Sequence, residues 1–197
     1  MNKKIAIFGG SFNPVHNGHL YIAKQMFLHF CIDKMIIIPT GEPPHKPSEN
    51  LISAVHRFNM LKLAFADYKN IIISDLELKR TGLSYTYDTV FELKQIYKND
   101  NLYFLVGGDM LLSFNKWKNY DKILQLVNLV CISRDKNEYD NLIAKSKELK
   151  NIILLDVPVF PLSSSQIREK IKNKESTKDL LPQIIAEYIQ KYNFWSE

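Results

Sequence analysis

Two histidines three positions apart, His16 and His19, follow the run Ile5-Ala6-Ile7-Phe8-Gly9-Gly10-Ser11-Phe12-Asn13-Pro14-Val15. Ile5 to Phe8 have the continuous apolar character of a buried parallel strand, and the glycines mark a place where backbone approaches a ligand. Asn17 or Gly18 is positioned to cap a helix starting near His19, because Leu20, Ala23, Met26, Phe27 and Phe30 recur at helical spacing. A helix start favours anions, and imidazoles beside it add donors suited to phosphate. Zinc is the other chemistry open to a histidine pair. His29, His45 and His56 supply no spacing that completes such a site.

Other segments carry chemistry of the same kind. Ser163, Ser164 and Ser165 precede Ile167 and Arg168, so hydroxyls, helix-start N–H groups and a guanidinium gather as an anion cradle; N-capping with a surface arginine is the plainer reading. Gly107-Gly108-Asp109 follows an apolar run, where a carboxylate can accept from sugar hydroxyls. Trp117 lies between Lys116 and Lys118, a setting for ring stacking rather than core. Lys46 ends the segment Pro43-Pro44-His45-Lys46 and reads, by residue type alone, as a solvated lysine.

Elements that would position these groups alternate along the chain. Strands are expected at 5–8, 34–39, 71–74, 102–106, 129–133 and 152–156. Helices are expected at 19–30, 53–66, 86–97, 120–126 and 183–192, with further ones near 139–149 and 164–171. This predicts an α/β fold of Rossmann-like type: an open parallel sheet with helices on both faces, in a single domain over residues 1–197. Ligands of such sheets collect beyond the carboxyl ends of the strands, where Gly9-Gly10, residues 39–46 and Gly107-Gly108-Asp109 all fall.

Composition narrows the partners. A chain of 197 residues suits one domain, and no apolar run approaches the roughly 20 residues needed to span a bilayer. A cytoplasmic protein without a membrane partner is expected. The net charge of +5 comes from lysines scattered along the chain, not from one stripe, which argues against nucleic acid. Arginine is scarce by contrast: only Arg57, Arg80, Arg134 and Arg168 occur. Cys31 and Cys131, far apart and in apolar sequence, read as reduced core thiols.

Taken together, the stretch from Gly10 to His19 resembles the first signature of the His-x-x-His nucleotidyltransferases. Pro43-Pro44-His45-Lys46, Ser84-Tyr85-Thr86-Tyr87-Asp88-Thr89, Gly107-Gly108-Asp109 with Trp117, and Ser163-Ser164-Ser165-Gln166-Ile167-Arg168 resemble, in that order, segments of the bacterial nicotinate-nucleotide adenylyltransferase family. The likeness spans most of the chain. It implies transfer of the adenylyl group of ATP to nicotinate mononucleotide with release of pyrophosphate, as a step of NAD biosynthesis.

The resemblance also implies roles. His16, His19, Lys46 and Arg168 would be catalytic through charge stabilisation, with no covalent protein intermediate. ATP would lie against Gly9, Gly10, Ser11, Phe12, His16 and His19, then against Gly107 and Asp109, and against Ser164, Ile167 and Arg168. Ser84, Tyr85, Thr86, Trp117 and the amide of Lys118 would hold the nicotinate nucleotide. Mg2+ would arrive with ATP, with no metal cage in the protein. The resemblance leaves room for a homo-oligomer. Ser165 stands where the family carries threonine, keeping the hydroxyl. Residues 134–140 lack the family's Arg-Pro-Gly, which sets Arg134 apart from the pattern. The competing readings are an amide-preferring nicotinamide-mononucleotide adenylyltransferase and a non-catalytic nucleotide sensor.

Overall fold

The apolar runs become six parallel strands: β1 (Lys4–Gly10), β2 (Lys34–Pro39), β3 (Ile71–Ile73), β4 (Asn101–Gly107), β5 (Asn128–Ile132) and β6 (Ile152–Leu155). They form one sheet in the order β3-β2-β1-β4-β5-β6, with Ile7 opposite Ile36 on one side and Phe104 on the other. The structure is a computed structural model and describes residues 2–42, 51–132, 139–155, 157 and 162–196. Lys46, its segment Pro43-Pro44-His45 and Arg134 lie outside the described residues.

Alternation along the central strand divides the core in two. Ala6 and Phe8 face one side with Ala23 and Met26 of α1 (Asn17–Phe30), Met60 and Leu61 of α2 (Ala54–Ala64), Ile167 of α7 (Ser164–Lys172), and Ile185 and Ile189 of α8 (Gln183–Lys191). Ile5 and Ile7 face the other, with Val90 and Leu93 of α3 (Thr86–Ile96), Leu111 of α4 (Gly108–Leu112), Ile123 of α5 (Tyr120–Leu126) and Leu142 of α6 (Tyr139–Glu148). Helices therefore cover both faces, as expected. Each fully buried Ile, Leu or Met side chain contributes about 1.5–3 kcal/mol, which is why the runs read so clearly in the sequence.

Some expectations need correction. α1 starts at Asn17 with His16 as its N-cap. Neither Asn17 nor Gly18 caps it, because the Asn17 side-chain amide donates instead to the Asp179 carbonyl, 2.8 Å away. Cys131 is buried, but Cys31 is exposed, since it occupies the left-handed C-cap of α1. α4 and a short 3₁₀ turn (Phe114–Lys116) were not expected; both are too short to show a period. Among the described residues no helix is long and apolar enough to cross a membrane.

Candidate active site

At the carboxyl ends of the two central strands the chain leaves β1 and β4 in different directions, the arrangement that opens a crevice in such sheets. Here the crevice has a volume of about 550 Å³, within the range of small-molecule sites. Gly9 to Phe12, His16 and His19 line it from β1; Gly107, Asp109, Trp117 and Lys118 line it from β4. Ser84, Tyr85 and Thr86 enter beside Thr40 and Glu77, and Ser163, Ser164, Ser165 and Arg168 close it from α7.

The turn after β1 is held in an unfavourable shape. Phe12 has φ 47°, left-handed for a bulky residue, at a cost of about 1–3 kcal/mol. Its ring is buried and meets Phe8 edge-on at 5.3 Å and His19 at 4.9 Å between centroids. A Cβ on Gly10 would lie 3.2 Å from that ring, so glycine is what lets Phe12 fold back beneath the strand end. The carbonyls around Phe12 are tied as well. Arg57 Nη1 donates to the Ser11 carbonyl and Arg168 Nη1 to the Asn13 carbonyl, both at 2.9 Å, while Ser164 Oγ donates to the Pro14 carbonyl at 2.9 Å. Oxygens whose partial charge would oppose an anion are thus engaged by protein donors.

The His16 and His19 rings lie 3.8 Å apart between centroids, tilted by 37°, and both residues are buried. The backbone N–H of His16 donates to Nδ1 of His19 at 3.1 Å. An accepting Nδ1 carries no proton, so neutral His19 holds its proton on Nε2 and acts there as a donor.

At α7 the three serines take different tasks. Ser163 caps the helix: the Gln166 N–H donates to its Oγ at 3.3 Å, and the Ser163 N–H donates to Gln166 Oε1 at 2.9 Å. Ser164 holds the loop after β1, and Ser165 Oγ accepts from Arg168 Nη2 at 3.2 Å. Burial lowers the Arg168 pKa, yet the group stays a cation. Ile167 is different. Its side chain is fully buried in the core under the sheet and does not line the crevice, because the position that turns Arg168 outward turns Ile167 inward.

On the opposite wall Trp117 is half-buried, 5.1 Å from Phe114 and 6.5 Å edge-on from Phe104. The Lys118 ammonium lies 3.9 Å from the centre of the Tyr85 ring, a cation–π contact that joins the two segments of this wall. Ser84 is buried, lines the crevice, and its Oγ has no hydrogen-bond partner among the described residues. A buried hydroxyl left so costs about 1–3 kcal/mol, and this one borders the crevice.

The chain is similar to known proteins over nearly its whole length. The Cytidylyltransferase-like family model matches residues 7–170. A Clostridium tetani protein named "Probable nicotinate-nucleotide adenylyltransferase" is 42% identical, over 98% of this chain and 99% of its own length. The chain belongs to the nicotinate-nucleotide adenylyltransferase family, and is a nucleotidyltransferase. A Clostridium novyi member is 37% identical over 98% of this chain and 99% of its own. The Plasmodium falciparum nicotinic acid mononucleotide adenylyltransferase complexed with NaAD shares the fold, with a TM-score of 0.84 at 22% identity over 98% of each chain.

Two buried residues, one lining the crevice and one behind the loop after β1, escape a reading of motifs. Glu77 lines the crevice as a buried carboxylate, accepting from Thr89 Oγ1 at 2.8 Å and from the Gly41 N–H at 3.3 Å. Burial raises its pKa, against these hydrogen bonds and the charges of Arg80 and Arg57. Gly41 is required there, since a Cβ would meet the Glu77 carbonyl at 2.6 Å and Ser84 Oγ at 2.8 Å. Arg57 is the second. Only its spacing with Met60, Leu61 and Ala64, which puts a cation on the buried stripe of α2, could have announced it.

Proposed function

We propose that this chain transfers the adenylyl group of ATP to nicotinate mononucleotide, giving nicotinate adenine dinucleotide and pyrophosphate. The observation that carries the reading is one crevice with two unlike walls: an anion-directed wall of His16, His19, Ser164 and Arg168, and an aromatic wall of Trp117 and Tyr85 with the buried Ser84 hydroxyl.

In this reading an acceptor phosphate oxygen forms a bond to the α-phosphorus of ATP, and the bond from that phosphorus to the bridging oxygen breaks. The electron pair leaves on pyrophosphate. Charge grows on the bridging and β-phosphate oxygens, where the His19 Nε2–H, the N–H groups at the start of α1 and the Arg168 guanidinium would receive it. Ser164 and Arg168 act partly through the loop, whose carbonyls they hold. Lys46, from the 43–50 segment, is assigned to the triphosphate by family likeness. Asp109, preceded by Gly107-Gly108, fits a ribose contact at the end of β4. Magnesium usually keeps waters and substrate phosphates as ligands with one or two carboxylates. Asp109 at the crevice would supply one such carboxylate to an ion that arrives on ATP and neutralises its phosphates. A cytoplasmic location, where ATP is available, fits this reaction.

The acid is favoured over the amide as acceptor. Trp117 stacks on either pyridine ring, but Thr86 Oγ1, Ser84 Oγ and the Lys118 N–H are groups that can donate, and the Lys118 ammonium adds positive charge at the rim. A carboxylate accepts from all of them, whereas a carboxamide sets its own hydrogens against at least one donor. One mismatch of about 1–3 kcal/mol corresponds to roughly tenfold to hundredfold discrimination. The test is the ratio of kcat/KM for nicotinate mononucleotide over nicotinamide mononucleotide with Mg-ATP. A ratio well above one supports the reading, and a ratio at or below one overturns it.

A further inference from the structure

Arg57 carries a charge into one of the least exposed places in the molecule. Only 1% of its surface is accessible, it sits on the core-facing side of α2, and it is the largest side chain among those fully buried. Its guanidinium makes two directed contacts: Nη1 to the Ser11 carbonyl at 2.9 Å and Nε to the Ile52 carbonyl at 3.2 Å. Ile52 is in turn pinned to the same turn, its N–H donating to Asn13 Oδ1 at 3.3 Å. The Ser11 carbonyl comes directly before left-handed Phe12, and the Asn13 carbonyl, held by Arg168, comes directly after it. Two guanidiniums from helices far apart in sequence therefore grip the loop on either side of its strained residue.

We propose that Arg57 is a positioning residue for ATP: through the Ser11 carbonyl it fixes the shape of the loop after β1, and it places a buried positive charge behind the surface on which the phosphates lie. Burial pulls its pKa down to about 10, and the nearby Glu77 carboxylate partly offsets this, so the group remains charged at neutral pH. A purely packing role is served better by an apolar side chain, since a buried cation costs desolvation that methionine or leucine would not incur. Because its contacts run to the loop from β1 and to the 52 end of the neighbouring segment, and not to Trp117 or Thr86, its effect belongs to ATP and not to the acceptor. The inference rests on the assignment of this loop to ATP.

The test uses the full chain with Arg57→Lys and Arg57→Ala, folding being followed by circular dichroism and thermal melting. Titration with a non-hydrolysable ATP analogue is expected to show about tenfold or more weaker binding for folded Arg57→Lys, because one ammonium cannot reproduce the two directed contacts. The KM for nicotinate mononucleotide is expected to stay within about twofold. Added ethylguanidinium is expected to recover ATP-analogue binding in Arg57→Ala. Folded Arg57→Lys with wild-type affinity for the analogue overturns the proposal, as does equal weakening of both substrates. Failure of Arg57→Lys to fold even with saturating analogue also overturns it, making Arg57 a cation of the core alone. If the wild-type chain itself does not bind the analogue, the assignment of the loop to ATP falls first, an outcome distinct from all of these.

Discussion

The backbone N–H of His16 donates to Nδ1 of His19 across 3.1 Å, and this one bond leaves the proton of neutral His19 on Nε2. The N-cap of α1 and the second histidine of the pair are thus a single unit: the helix start fixes the tautomer, and the tautomer supplies the donor.

Replacing His19 should therefore damage chemistry more than folding. His19→Ala is expected to lower kcat by about 10²- to 10³-fold, the usual effect of losing one preorganised donor. Thermal melting is expected to show a smaller loss, from the Phe12 and Phe8 rings that the imidazole touches. Near-normal turnover in a folded His19→Ala protein would remove the histidine from the mechanism.

Adjacent serines at α7 give a sharper contrast. Ser163→Ala breaks the capping box with Gln166 and is expected to cost about 0.5–2 kcal/mol of stability in denaturant titration, with KM for ATP little changed. Ser164→Ala releases the Pro14 carbonyl and is expected to raise KM for ATP, with a smaller stability loss. The opposite pattern would mean that cap and loop contact have been assigned to the wrong hydroxyls.

Glu77 gives the protein a pH-dependent term. Burial raises its folded pKa above the ordinary 4.5, so its contribution to stability is full below that value and is lost as pH rises through the folded pKa. Thr89, the Gly41 N–H, Arg80 and Arg57 all act in the other direction without cancelling the burial. Glu77→Gln cannot ionise and keeps an oxygen for the Gly41 N–H. Unfolding free energies measured from pH 4 upward are expected to show wild type losing stability relative to Glu77→Gln. A difference independent of pH would show that Glu77 titrates normally.

Much of this architecture was legible in the chain. Runs such as 34–39 coincide with the strand they form, because a strand buried on both faces needs an unbroken apolar sequence. Fifteen of the sixteen described residues assigned to the site from sequence do line the crevice; Ile167 alone does not. Motif residues can be found in this way because their types, histidine after a glycine turn or serines before a helix, are themselves chemical statements.

What the sequence by itself determined was the set of elements and the groups able to bind phosphate and ring. Tertiary structure alone decided how those groups are held. His16 became the helix cap once Asn17 was drawn to the carbonyl of Asp179, a residue 162 positions away. The two histidines acquired their orientation from a backbone hydrogen bond that leaves no trace in residue type. Arg57 stood out only as one of four arginines until the packing of α2 carried it under the loop, and Glu77 gained its raised pKa from burial as well. Desolvation and hydrogen-bond geometry depend on what surrounds a group in space, and those neighbours come from segments that only the folded sheet brings together.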